Sequence, residues 1–178
     1  MIKIKFFYFI IFFFLITSKT FSQSIVYADL DVIIKTSDVG KLIISYFSSK
    51  NDKLIEIIKS KKKILKEKES SLISQKNILQ PNEYSKKVNI IKNEIIDFNK
   101  NNKDQLDKIN YEKNEVTKSF LVEINKILKE FAEKNKIDII VSSNQILIGK
   151  SNLDVTDELL KIVNEKITKF EINKWMIN

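Results

Sequence analysis

The sequence predicts an α+β chain, mainly α, in which a long antiparallel coiled-coil hairpin stands on a small β body. Three observations predict it. Apolar pairs recur every seven residues through a middle region built of Lys, Glu, Asn, Ile, Leu and Ser, the signature of a left-handed coiled-coil seam. The only proline among the 178 residues, Pro81, interrupts that repeat. Short β-branched runs flank the repeat on both sides.

The chain begins with a targeting pattern. Lys3 and Lys5 precede an unbroken apolar run from Phe6 to Ile16, and polar residues with Thr20 and Ser22 come after it. A charged start, a short apolar stretch and small residues before Gln23 read as a secretory signal peptide over 1–22, which places the protein outside the cytoplasm. Spanning a bilayer takes roughly 20 apolar residues, so the run is short for an anchor. The rival reading retains it, making the protein a membrane-anchored helical stalk or scaffold subunit. Cleavage removes Lys3, Lys5 and Lys19 and lowers the net charge of +8 by three.

The first part of the body is 23–40. Ser24–Leu30 reads as a strand buried mostly on both faces, and Asp31–Ile34 either continues it or opens a turn. Asp29 and Asp31 are a close acid pair. Without a His or a third ligand they suit a strand end or a cap better than a metal or acid–base site.

The arm is 41–136. Ile57-Ile58, Ile64-Leu65, Ser71-Leu72 and Ile78-Leu79 come after Phe47 and Leu54 at heptad spacing. The seam resumes at Val88, Ile91, Ile95 and Phe98 and continues through Ile109, Val116 and Phe120. Pro81 cannot sit inside a helix without breaking its ladder, so the hairpin turns near 80–83, with Asn82 available to cap the second helix. The first helix, Lys41 to Leu79, is about 58 Å long at 1.5 Å per residue. Seam spacing makes Phe98 and Phe120 hairpin core. Ile55, Ile73, Ile90 and Ile96 are left over as exposed apolar contacts.

The second part of the body is 137–169. Ile137–Val141 reads as a strand, Gln145–Ile148 as another, and Asp154–Glu158 opens a last helix with acids where the helix dipole favours them. Its stripe is Leu159, Leu160, Ile162, Val163 and Ile167. A tail, 170–178, carries Trp175 and Met176. A sheet this small is marginal in water, so the body is expected to assemble with copies of itself through Ile25, Val26, Tyr27, Ile137, Ile139, Ile140 and Val141.

Composition excludes much chemistry. The 31 basic residues are all Lys, and there is no Cys and no His. Cys- and His-based catalytic sets and the common zinc sites therefore cannot be built. With 2 Gly and no phosphate-loop motif, nucleotide binding is not expected; neither is an enzyme, a cofactor or a metal. Lysine alone attracts nucleic acid without reading it, so no specific nucleic acid is expected. The run Lys59, Lys61, Lys62 and Lys63 reads either as a partner- or lipid-facing patch or as a solvated helix face that Glu67 and Glu69 partly neutralise. Lys86 and Lys87 lie beside the turn, where anionic headgroups or lipopolysaccharide would meet them.

A leader, then IVYADLDVIIKTSDVGKLI, a Lys/Glu-rich helical hairpin and the return KNKIDIIVSSNQILIGKSNLDVTDELLKIVN resembles the Skp/OmpH family of periplasmic chaperones. The resemblance implies a homotrimer whose body is a small barrel shared by three chains. It implies three tentacle arms around a cavity that holds unfolded outer-membrane β-barrel proteins before insertion, without ATP. This chain departs from the pattern by using Lys, Ile and Asn where Arg, Ala and Gln are common in the arms, and by its tail.

Overall fold

The computed structural model describes residues 23–168 and 170; the expected leader and the tail beyond Phe170 lie outside the described residues. The elements run β1 (Ile25–Ala28), α1 (Leu30–Thr36), α2 (Asp38–Ser74), α3 (Pro81–Asn135), β2 (Ile139–Ser142) and α4 (Thr156–Lys166), with short 3-10 turns at Ser143–Gln145 and Ser151–Leu153.

β1 is shorter than expected because Asp29 ends it. The Asp29 carboxylate accepts from the Val32 amide at 2.9 Å and caps α1, so Asp31–Ile34 are helical. The Asp29 amide donates to Thr156 Oγ1 at 2.9 Å, tying the end of β1 to the start of α4. Burial on both faces is only partly realised: Val26 and Ala28 are buried, whereas Ile25 is exposed.

Ser37 then starts α2 directly behind α1, its buried hydroxyl accepting from the Gly40 amide at 3.2 Å. Gly40 is required by close approach. A Cβ there would lie 1.7 Å from the Ile34 carbonyl oxygen.

α2 ends at Ser74, earlier than the heptad pattern suggests. Its last turn tightens through Gln75 N to Leu72 O (3.1 Å) and Lys76 N to Ile73 O (3.2 Å). Pro81 is the first residue of α3, behind Gln80 as cap, and Asn82 lies inside the helix, not at its cap. Proline suits that place because its fixed φ is helical and its missing N–H would have had no partner. The far end of α3 stops at Lys136, the one non-glycine residue of positive φ (54°) among the described residues. Ile137 N closes the cap on Ala132 O at 2.9 Å.

β2 pairs with β1 in parallel, Ile25 opposite Ile139 through Ala28 opposite Ser142. The expected strand at Gln145–Ile148 does not form. Ser143 and Asn144 enter a 3-10 turn, as short polar side chains favour, and no described strand lies beside the segment to complete a ladder. A bridge from Tyr27 to Asp154 occupies the neighbourhood instead.

One apolar core joins the pieces. Ile33 of α1, Phe47 of α2, Phe120 and Ile124 of α3, and Leu159 and Val163 of α4 meet in it.

Candidate functional site

Among the described residues no group of three potential ligands could hold a metal, and no helix is long and apolar enough to cross a membrane. The carboxylates singled out by sequence are engaged locally. Hydrogen bonding from the Val32 amide, with help from Ser143, holds the Asp29 carboxyl below the usual value, and Asp31 lies 3.7 Å from Lys35. The other candidate features lie on the molecular surface.

The long helices supply most of it. Lys50 pairs with Glu112, and Lys68 with Glu94 at 2.7 Å. As the position advances along α2, its partner falls back along α3 by the same number of residues. Near the body this seam is dense, with Phe47, Val116, Phe120 and Ile124 buried. Away from it the seam thins: α2 has no buried residue between Phe47 and Leu65, and the buried residues of α3 begin at Ile109. Clefts open there. One of about 370 Å³ lies among Leu72, Ile73, Tyr84, Val88 and Ile91. Another of about 500 Å³ lies among Ile58, Lys62, Leu65, Ile95 and Phe98. Phe98 is thus a cleft wall, whereas Phe120 is full core.

Each heptad pair divides its labour. Ile58, Leu65 and Leu72 turn inward, whereas Ile57 (65% exposed), Ile64 (48%) and Ile78 (81%) face out. Ile55, Ile73, Ile90 and Ile96 are exposed as expected. Sequence reading missed the outward residues, because both members of Ile57-Ile58, Ile64-Leu65 and Ile78-Leu79 are equally apolar.

The candidate lysines all reach solvent but form two separate groups. Lys63 sits 4.0 Å from Glu67, Lys62 rims the Phe98 cleft, and Lys59 and Lys61 point to solvent. Half-buried Lys87 is 3.3 Å from Glu83 and shares a cleft with Gln75, with Lys86 exposed beside it. Gln75 lies twelve positions past Lys63, about 18 Å of helix.

On the body, Ile25 and Ile139 are register partners, both nearly half exposed. Val26 is buried, and Ile137 and Ile140 pack against the core. Tyr27 lies opposite Val141, and its hydroxyl donates to the Lys150 carbonyl at 3.3 Å. Beyond β2, Leu147 (99% exposed) and Ile148 (92%) are bare.

A family model described as "Outer membrane protein (OmpH-like)" matches residues 24–163, which spans β1, both long helices and most of α4. The chain belongs to the OmpH-like family. The fold of this OmpH-like protein is shared by the crystal structure of a protein assigned as an OmpH-like outer membrane chaperone from Caulobacter crescentus CB15. The TM-score is 0.76 at 9% sequence identity, over 84% of this chain and 88% of that one. No curated protein matches the sequence.

Proposed function

We propose that this OmpH-like protein is an ATP-independent holdase of the periplasm. In this reading α2 and α3 form one antiparallel coiled-coil arm, residues 23–40 and 137–169 form the body, and three copies assemble through their sheets. The arms then enclose a cavity that receives unfolded outer-membrane β-barrel proteins and keeps them from one another until insertion. The leader is removed before Gln23, and neither nucleotide nor catalysis takes part.

The observation that carries the reading is the pair of exposed isoleucines one heptad apart on α2, Ile57 and Ile64, set among lysines, with Ile78 exposed just past the helix end. An unfolded barrel strand presents alternating apolar residues, and many weak contacts along an arm retain it without fixing one conformation. Preferential affinity for the unfolded client delays its aggregation by mass action. Lysines draw an acidic client from a distance, with a reach of about 8–10 Å at ordinary salt. For assembly the support is exposed apolar surface on the body, where Ile25, Ile139, Leu147 and Ile148 are left open and a lone two-stranded sheet is marginal.

The test is dilution of a urea-unfolded outer-membrane barrel into buffer containing the leaderless protein and no nucleotide. Light scattering should be suppressed near one trimer per client. Undiminished scattering at several-fold excess would refute the reading.

A further inference from the structure

We propose, on the holdase reading above, that the two clefts between α2 and α3 form one trough that seats an extended, acidic strand of an unfolded client, a seat apart from Ile57 and Ile64.

The trough follows from where the seam opens. The clefts of about 370 Å³ and 500 Å³ both have Glu69 and Ile95 in their walls, so they run into each other. Each falls within the range of about 300–1,000 Å³ that ligand sites occupy. On α2 the joined trough extends from Ile58 to Ile73, about 22 Å of helix. That is the length of about seven extended residues. Its floor is apolar, with Leu65 and Leu72 buried and Ile91, Ile95 and Phe98 half-buried. It stays open because α3 buries nothing before Ile109.

The walls select the occupant. Glu69, Asn99 and Asn102 bring hydrogen-bonding groups to the edge of the apolar floor. An extended peptide carries an N–H and a C=O at nearly every residue and can use those groups, whereas an acyl chain cannot. Lys62, Lys66 and Lys92 also stand on the walls, three cations to the one carboxylate of Glu69. None of the three is ion-paired among the described residues. The trough therefore favours an acidic strand. A second copy of the arm fits worse, since lysines outnumber acids along 41–136. The floor residues Ile58, Leu65 and Leu72 recur about every 10.5 Å, whereas same-side residues of a strand recur about every 6.6 Å. These spacings do not coincide from one step to the next, so the seat selects apolar content and charge and not one sequence.

The chain has no cysteine, so Val88→Cys places a single thiol in the trough. Asn93→Cys is the control, exposed and outside both clefts. The probe is a short synthetic peptide that alternates Val or Tyr with Glu. On the leaderless protein, peptide at about ten times its dissociation constant should slow maleimide labelling of Val88→Cys about tenfold and leave Asn93→Cys unchanged. Adding Lys62→Gln, Lys66→Gln and Lys92→Gln should weaken that protection at low salt, and a peptide with Lys in place of Glu should give none. Unslowed labelling of Val88→Cys would overturn the proposal. Labelling that slows with protein concentration alone would put a second copy in the trough and overturn it, as would stronger protection by phosphatidylglycerol vesicles than by the peptide. Scattering of the urea-diluted barrel separates this result from the holdase reading. Suppressed scattering with unprotected Val88→Cys would remove the trough and leave the holdase, whereas undiminished scattering would remove the holdase itself.

Discussion

Gly40 is chosen for space. The first turn of α2 sits so close to the Ile34 carbonyl that any Cβ collides with backbone, which has little freedom to yield. Gly40→Ala should therefore lower unfolding free energy by about 1–3 kcal/mol, the usual range for overpacking, seen as a lower urea midpoint. Asp29 supports a pH prediction. Its folded carboxyl is held below its ordinary value by the Val32 amide, so the stabilisation is complete above that ordinary value and fades as pH falls through the lower folded value. Asp29→Asn keeps a capping side chain and removes the charge. It should be less stable than the parent at pH 7, with the difference vanishing on acid titration below the folded value. Asp29 as a cap was legible from its place between an apolar run and a helical period. Gly40 was not, because the contact it permits involves Ile34 across a kink that no periodicity announces.

At the level of elements, two long helices were legible in the seven-residue pairs and in Pro81. Three features were not. The inward member of each pair is decided by helix facing, which equal hydrophobicity conceals. The turn begins at Gln75, six residues before the proline, because Pro81 opens a helix and does not have to close one. The segment Gln145–Ile148 has strand composition and no strand, since a strand is defined by its neighbour. The division within pairs yields a prediction that separates client contact from stability. Ile57→Ser with Ile64→Ser should leave the thermal midpoint within about 2 °C, as exposed substitutions do, and should raise the scattering of a diluted barrel client. Leu65→Ser with Leu72→Ser should instead lower the midpoint.

For the whole molecule, the sheet is the weak point of a single chain. Two strands of four residues, with Ile25 and Ile139 open on one side, bury too little to stand alone. On the proposed three-chain assembly, Ile25→Asp with Ile139→Asp should reduce the sedimenting mass from trimer to monomer in the micromolar range. An unchanged mass would place the assembly contacts elsewhere. Charge belongs to this scale too, since none of the candidate lysines is buried in a way that marks it out. Replacing Lys62 alone should alter only the salt sensitivity of capture.

The parallel pairing of β1 with β2 has one more consequence. Ser24 bonds to Asp138, 114 positions further along the chain, so the earliest-made strand has no mate until nearly the whole polypeptide exists. At ribosomal speeds of about 5–20 residues per second that delay is on the order of 10 s. The first strand of this OmpH-like chain thus stays unpaired through most of the chain's own synthesis, because the sheet closes only through a non-local contact.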